Sequence, residues 1–321
     1  MIPGTGSDLI EQSWTFGADV VVLDLEDLVH DQRKYEARAN IQNGIDHARK
    51  GGAEVFVRCD AELLYADLEA SVWRGLQGII LPKATSMEQV REAEATLAYF
   101  EAERGVMQAG LIGEVNEYDE PRTVDNSLEI HLALENAKGN YNARDLIAGN
   151  PRVKSVSLGR ADLVMDLRPE PKGDLHLLPF LMQRLILVAN TAGVSPIGGW
   201  WEGSSRGLRA SPEDSLEAAR RGRLAGFKGA LCVEPDQAPA INQGFTPSPR
   251  EVRDAEQLVQ AFAQARAAGK AYGEAGGVLV DLASAEGAQG LIDWAEECAA
   301  RDSFKGSAVE QAHDALGAAQ R

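Results

Sequence analysis

The chain has 321 residues, of which 44% are hydrophobic and 25% are charged, so it is able to bury a large globular core. Its formal net charge of −17 argues against nucleic acid or an anionic membrane surface as the main partner. The cysteines Cys59, Cys232 and Cys298 are widely spaced, which fits a reducing compartment and provides neither a zinc site nor a disulfide framework. No apolar run is long enough to span a membrane and no signal region is found, so we expect a cytoplasmic protein.

Short apolar runs alternate with longer helical patterns along the chain. Helices are predicted at residues 35–50 and 177–192, because apolar residues recur on one face of each. Their predicted buried faces are Ala37, Ile41, Ile45 and Ala48 in the first helix, and Leu178, Leu181, Leu185, Val188 and Ala192 in the second. Strands are predicted at residues 20–23, 54–57, 78–81, 128–134, 153–158, 194–197 and 229–233. Near-continuous apolar strands separated by helices predict a parallel sheet that is buried on both faces.

Seven strands are one fewer than a (β/α)₈ barrel requires, and residues 1–4 resemble the end of a further strand. We therefore expect an α/β fold, a TIM barrel whose first strand is largely missing from this numbering. The rival architecture is an open doubly wound sheet, but no Gly-rich dinucleotide motif follows any strand. Residues 1–250 would form the barrel, 251–300 a helical extension or lid on the barrel or a neighbouring subunit, and 301–321 a polar tail.

Charged residues follow most of the predicted strands where each strand ends. They are Asp24, Glu26, Asp27, Arg58, Lys83, Glu135, Asp162 and Glu234. Barrel enzymes hold their chemistry at the C-terminal ends of the strands, which converge on one mouth. Charges at a buried edge are costly unless they are paired or bind a metal. The pattern therefore predicts one shared site.

Glu135 and Asp162 form the most informative pair in this pattern. Each follows an apolar strand, and two carboxylates on neighbouring strand ends suit Mg²⁺, which takes oxygen ligands and keeps positions open for water or substrate. The alternative is that Glu135 caps the next helix and Asp162 belongs to a turn.

Six segments together carry a family resemblance. They are VVVLDLEDLVHDQRKYEAR, VFVRCD, GIILPK, LALENAKG, SLGRADL and GFKGALCVEPDQAPAINQGFTPSPREV. In this order they resemble the CitE-like branch of the HpcH/HpaI aldolase superfamily, which includes the citrate lyase β-subunit and the malyl-CoA and citramalyl-CoA lyases. The resemblance implies a (β/α)₈ barrel, Mg²⁺ with Mn²⁺ as a substitute, cleavage of a carbon–carbon bond in a hydroxyacyl substrate, and a homotrimer or homohexamer.

The resemblance also implies roles for individual residues. Glu135 and Asp162 match the metal carboxylates, and Arg58 matches the arginine that binds the keto-acid oxygens. A guanidinium suits this role because its planar fork binds oxygen pairs, although an ion pair with Glu26 or Asp27 is an alternative and compatible reading. Glu26 and Asp27 match an acidic pair that supports metal-bound water and orients the arginine.

Three further residues have alternative roles in this pattern. Lys83 matches a lysine after the fourth strand, which either binds the substrate directly or supports the residues that do. Asp24 is interpreted as structural. The segment around Asp281 resembles the C-terminal part of malyl-CoA lyases, in which an aspartate completes the site of a neighbouring subunit. Alternatively, Asp281 is only the start of a helix at 283–299.

The sequence also departs from the family pattern. The opening-strand arginine has no counterpart, and Glu234 stands where members commonly have histidine. Residues 113–127 form an acidic insertion, read as a solvated loop or a wall near the mouth. Trp200 and Trp201 are candidates for a substrate wall, for packing or for a subunit contact, and Arg206 and Arg209 are candidates for binding CoA phosphates.

The predicted function is a Mg²⁺-dependent carbon–carbon lyase that acts on a 2-hydroxyacid-derived substrate, with a CoA thioester as the expected form. A small 2-hydroxy or 2-keto acid is the expected partner, and neither nucleic acid nor membrane is expected. One alternative is a CoA-independent class II aldolase that uses a pyruvate or oxaloacetate enolate. Another is a non-catalytic CitE-like binding subunit.

Overall fold

A computed structural model describes residues 1–106, 127–167, 178–201, 207 and 210–319. Within these residues one sheet contains seven strands, all parallel and arranged in chain order. The strands are β1 (Ile2–Pro3), β2 (Val20–Asp24), β3 (Glu54–Arg58), β4 (Gly78–Pro82), β5 (Glu129–Leu134), β6 (Val153–Leu158) and β7 (Ser195–Ile197). The six strands predicted between residues 20 and 197 agree with β2–β7 to within one residue at each end.

The two outer strands leave a gap that residues 228–232 occupy. Lys228 N–H donates to Pro196 at 2.9 Å, and Gly198 N–H donates to Gly229 at 2.7 Å. On the other side, the terminal nitrogen of Met1 donates to the carbonyl of Cys232 at 2.6 Å. The predicted strand at 229–233 is wrong, because only Gly229 in it forms a β-bridge and the segment is hydrogen bonded near its two ends. The fold is therefore TIM-barrel-like, with a ladder that is not closed.

The helices lie between successive strands and after the last one. They are α1 (Ser7–Gln12), α2 (Lys34–Ala48), α3 (Leu64–Ser71), α4 (Met87–Arg104), α5 (Ala137–Tyr141), α6 (Ala143–Ala148), α7 (Arg160–Leu167), α8 (Leu178–Ala192), α9 (Pro212–Ala225), α10 (Gln237–Phe245), α11 (Pro249–Ala267) and α12 (Leu282–Ala319). Local sequence sets their ends: Ser86 and Gln89 form a capping box at the start of α4, which ends at Gly105 in the left-handed conformation. None of the described helices has both the length and the apolarity needed to cross a bilayer.

Both faces of the sheet are buried, as predicted. Val21 and Leu23 of β2 pack in the main core with the helices, whereas Val22 belongs to a second cluster on the opposite face, with Phe56, Ile80 and Ala133. The predicted face of α2 is buried as expected. In α8, Leu185 of the predicted face is buried, and Val188 and Ala192 pack against the core while partly buried. Met182 and Ala189, which were not predicted, are buried as well.

The C-terminal extension consists of α11, an antiparallel hairpin of β8 (Gly273–Ala275) and β9 (Val278–Val280), and α12. The helix predicted at 283–299 and the tail after it, which was expected to be a loosely held helix, form one continuous helix that ends at Ala319. No proline interrupts the sequence after Leu282, and the later part of α12 packs on the barrel. Lys305 is buried, and its Nζ donates to Gly17 at 2.9 Å and pairs with Asp19 at 2.7 Å. The division into units at residues 250 and 300 stays a prediction.

A cavity of about 920 Å³ lies at the N-terminal end of the sheet. Its lining includes Val20 and Glu54, where β2 and β3 begin, and Trp294 and Arg301 of α12. The carboxylates predicted to bind metal do not line it. α12 therefore covers the end of the sheet opposite to the predicted site.

Replacing Lys305 with methionine tests whether the last turns of α12 are fastened to the barrel. The variant loses a charged hydrogen bond to Gly17 and ion pairs with Asp19 and Asp302, so we expect about 1–3 kcal/mol lower unfolding free energy in urea. Lys270→Met, at an exposed position after α11, is the matched control and should change stability by less than about 0.5 kcal/mol. Equal stability of the two variants would show that this part of the helix is not held.

Candidate active site

Neighbouring strands bring the predicted charges together at the C-terminal end of the sheet. β2 and β3 pair in register, so that Asp24 lies directly beside Arg58. Because all these strands are parallel, their ends lie along one edge and the residues that follow β2, β4 and β5 reach the same place. We call the resulting group the charged rim, which consists of Asp24, Glu26, Asp27, Arg58, Lys83 and Glu135.

Arg58 is the central cation of the charged rim. Its Nε and Nη2 both donate to the carboxylate of Asp24, with Nη2 at 2.8 Å from Oδ2. Its Nη1 lies 3.1 Å from Asp27 Oδ2 and 3.2 Å from Glu26 Oε2. Burial lowers the pKa of Arg58, but the hydrogen bond and charge of Asp24 outweigh burial, so the pKa stays above its ordinary value.

The sequence placed Asp24 among the strand-end charges and gave it a structural role, but it did not identify the pairing of Asp24 with Arg58. Its side chain is 0% exposed and it accepts two hydrogen bonds from Arg58 and one from the Leu28 N–H at 2.7 Å. The contact could have been predicted only from the position of Asp24 opposite Arg58 in the paired strands, and that register is not known from the sequence. Asp24 takes the Nε–Nη2 edge of the guanidinium and Asp27 accepts from Nη1, so a substrate oxygen would have to share Nη1 with Asp27 and Glu26.

Lys83 follows β4 and lies on the other side of Glu26. Its Nζ donates to Glu26 Oε1 at 2.8 Å and lies 3.9 Å from Asp27 Oδ1. Burial lowers the pKa of Lys83, but the hydrogen bond and charge of Glu26 raise it above its ordinary value. Burial raises the pKa of Glu26, and the hydrogen bond from Lys83 offsets part of that effect.

Glu135 follows β5 and is 6% exposed. Its Oε2 is buried and has no hydrogen-bond partner among the described residues. Burial raises the pKa of Glu135 to about 8, and the charges of Glu26 and Asp162 add to this effect while Arg58 and Lys83 oppose it. The alternative reading as a helix cap is wrong, because Asn136 caps α5 by accepting from Gly139 N–H at 2.7 Å.

Asp162 approaches Glu135 from the next strand. It lies in the first turn of α7, is half-buried, and its charge acts on Glu135. The connection before it is tight: Gly159 N–H donates to Leu134 at 3.1 Å, and a Cβ at Gly159 would collide with Cγ of Glu135. Glycine at this position therefore lets the two strand ends meet.

The pair of Glu135 and Asp162 fits a hard divalent cation. A buried carboxylate oxygen that lacks a partner is costly unless a proton or cation compensates it, and oxygen ligands are those that Mg²⁺ prefers. The described residues contain no group of three or more acidic, histidine or cysteine side chains arranged for a metal. Two protein carboxylates would leave the other positions of a Mg²⁺ ion open for water or substrate.

The remaining predicted residues lie apart from this cluster. Trp200 packs on the main core, and its role in substrate binding stays a prediction. Asp281 is exposed at the start of α12, where Ser284 N–H and Oγ donate to its Oδ1 at 2.9 and 2.7 Å. These bonds hold the pKa of Asp281 below its ordinary value. Arg206, Arg209 and most of the insertion at 113–127 lie outside the described residues.

The raised pKa of Glu135 predicts how the stability of the metal-free protein depends on pH. The folded protein keeps a proton up to about pH 8, whereas the unfolded chain, in which a glutamate has its ordinary pKa of 4.5, releases that proton earlier. The stabilising contribution of the proton is therefore complete at low pH and is lost as pH rises towards 8. Urea unfolding in the presence of a chelator should show that the unfolding free energy falls more between about pH 5.5 and 8.5 for the native sequence than for Glu135→Gln. Equal losses would contradict the assignment.

Comparisons with known proteins give the same family as the sequence motifs. The chain is 28% identical over 319 residues to L-malyl-CoA/β-methylmalyl-CoA lyase from Cereibacter sphaeroides, covering 92% of each chain. It is 27% identical over 285 residues to (3S)-malyl-CoA thioesterase from the same species, covering 87% of each. Its fold resembles the crystal structure of CitE from Mycobacterium tuberculosis in complex with magnesium, acetoacetate and coenzyme A, with a TM-score of 0.64, 21% identity, and coverage of 92% of this chain and 96% of that one.

The family model described as HpcH/HpaI aldolase/citrate lyase matches residues 1–235, which include every residue of the charged rim. The resemblance found in the sequence motifs is thus confirmed, and the chain belongs to the HpcH/HpaI aldolase/citrate lyase family.

Proposed function

We propose that the protein is a Mg²⁺-dependent carbon–carbon lyase that cleaves or forms a 2-hydroxyacid-derived acyl-CoA. The observation that carries this proposal is the buried Oε2 of Glu135, which has no partner in the described residues and lies near Asp162 and Arg58. The similar malyl-CoA lyase acts on a CoA thioester, and the similar CitE structure contains magnesium and coenzyme A. Mn²⁺ would be able to replace Mg²⁺, since it favours the same oxygen ligands.

Five residues near the mouth have a role in this proposal. Glu135 and Asp162 would hold Mg²⁺, which when bound stabilises negative charge on an oxygen of the substrate. Arg58 binds the carboxylate of a 2-hydroxy or 2-keto acid from its Nη1 side. Asp24 and Asp27 hold the guanidinium in place before substrate arrives, so that little reorganisation is needed during the reaction.

Asp281 is proposed to act in the site of a second copy of this chain. There its carboxylate would exchange a proton with the acyl carbon next to the thioester carbonyl. Exposed apolar residues surround it: Val278, Leu279 and Leu282 are each 57–60% exposed in the single chain. Such a patch favours a subunit contact, which supports an oligomer, with a homotrimer or homohexamer as the specific proposal.

Hydrolysis of the thioester is a second candidate function. The thioesterase from Cereibacter sphaeroides is almost as similar to this chain as the lyase is. Both reactions place a negatively charged oxygen near the metal carboxylates and Arg58. They differ in the bond that breaks, so their products decide between them.

Incubation with malyl-CoA and Mg²⁺ tests the lyase proposal directly. Carbon–carbon cleavage gives acetyl-CoA and glyoxylate, whereas hydrolysis consumes water and gives malate and free CoA, which a thiol reagent detects. We expect acetyl-CoA and glyoxylate in equal amounts. Free CoA with malate would favour the thioesterase. Turnover of a 4-hydroxy-2-oxo acid without any CoA thioester would favour the class II aldolase. If the protein turns over neither malyl-CoA nor such an acid, a binding subunit would be favoured.

Removing a metal carboxylate tests the binding site independently of turnover. Glu135→Gln should weaken Mg²⁺ binding on the order of 100-fold or more in calorimetry, because a ligand is lost. Glu129→Gln, a change of the same kind at the first residue of β5, the strand that Glu135 follows, is the matched control and should bind Mg²⁺ as the native sequence does. Unchanged Mg²⁺ affinity in Glu135→Gln would overturn the metal assignment.

Mixing two inactive variants tests the role of Asp281. Asp281→Asn keeps a side chain that caps α12 equally well, so it should stay folded while turnover falls by about 100-fold. Glu135→Gln should be inactive because it lacks one of the two metal carboxylates. Coexpressed at equal levels, the two should recover about one quarter of native activity, because random assembly pairs intact Glu135 with intact Asp281 in a quarter of the sites. No recovery would show that Asp281 does not act between subunits.

A further inference from the structure

Lys83 has an unusual backbone for its residue type. Its φ of 53° makes it the one non-glycine residue with positive φ among the residues that the structure describes. A side chain in this region costs free energy that glycine would avoid. Such a conformation persists only where the surroundings hold it, and it is often found at functional sites.

Separate hydrogen bonds hold the main chain and the side chain of Lys83. Its carbonyl accepts a hydrogen bond from Asn136 Nδ2 at 3.3 Å, next to Glu135, and Asn142 Nδ2 donates to Thr85 at 2.9 Å. The turn after β4 is thereby fastened to the turn after β5. The left-handed conformation directs the ammonium group away from this contact and onto Glu26 at the end of β2.

Glu26 is consequently held between two cations. Lys83 Nζ lies 2.8 Å from its Oε1, and Arg58 Nη1 lies 3.2 Å from its Oε2. Glu26 is buried, so without Lys83 its charge would be left with a single cation among several carboxylates. An uncompensated negative charge here would attract a metal cation and repel an anionic substrate.

We propose that Lys83 is a positioning residue that keeps its left-handed backbone in order to hold Glu26 against Arg58, and that it balances the charge of the rim for an anionic 2-oxo acid. The role in acid binding rests on the proposed function, whereas the pairing with Glu26 does not. Four variants separate the parts of this role: Lys83→Met removes the charge, Lys83→Arg keeps it, and Lys83→Gly and Lys83→Ala differ in their tolerance of positive φ.

Calorimetry with Mg²⁺, and with glyoxylate in the presence of Mg²⁺, provides the decisive readout. Lys83→Met should bind Mg²⁺ at least as tightly as the native sequence, while glyoxylate binds about tenfold more weakly, the size expected for losing one close charge pair. Lys83→Arg should restore glyoxylate binding to within about threefold. Lys154→Met, at the opposite end of the sheet in β6, is the control of equal charge change and should alter neither affinity. If Lys83→Met weakens the binding of Mg²⁺ and glyoxylate equally, or changes neither affinity, the proposed role of Lys83 is overturned.

Stability of the metal-free protein tests the remaining parts without any ligand. Lys83→Gly should unfold with an equilibrium constant about fivefold smaller than Lys83→Ala, because glycine adopts positive φ freely. A double-mutant cycle of Lys83→Met with Glu26→Gln should show coupling between the two side chains. Absence of coupling, or equal stability of the glycine and alanine variants, would overturn the positioning role. Absence of Mg²⁺ binding by the native sequence would instead overturn the proposed function and leave the coupling intact.

Discussion

The buried carboxylate of Glu135, whose Oε2 has no hydrogen-bond partner among the described residues, is the constraint on which the site depends. Glu135 carries a desolvation penalty and lies near other acidic groups, so it is stable only with a proton or a cation. The charged rim supplies partial compensation through Arg58 and Lys83, which are shared with Asp24, Glu26 and Asp27. With all four of its carboxylates ionised against two cations, the rim would carry a net negative charge, which would favour the binding of a positive ion.

The parallel sheet makes this concentration of charge possible. The main core and the small cluster on the opposite face bury apolar side chains of the strands, and this burial stabilises the fold independently of the rim. Each strand then contributes its last residues to one edge. The tight approach at Gly159 and the direct register of Asp24 with Arg58 are details of backbone geometry that bring side chains from separate strands into contact.

Apolar runs were sufficient to predict six strands of the sheet, because strands buried on both faces leave a continuous signal. The predicted positions of Glu135 and Arg58 followed from the rule that strand ends converge. Sequence patterns could not show that Asp24 clamps Arg58, since this requires strand register, or that Lys83 has positive φ, since lysine carries no signal for it. The segment at 229–233 has the composition of a strand, but most of its backbone pairs with neither neighbour.

The continuous course of α12 has a mechanical consequence. Lys305 holds α12 against the barrel, and Asp281 immediately precedes the first residue of this helix. The 24 residue steps from Asp281 to Lys305 correspond to about 36 Å along the helix axis. Inserting one residue between them would swing Asp281 through about 100° around the axis and shift it by about 1.5 Å. The number of residues between them thus sets where Asp281 lies relative to the contact of Lys305 with the barrel.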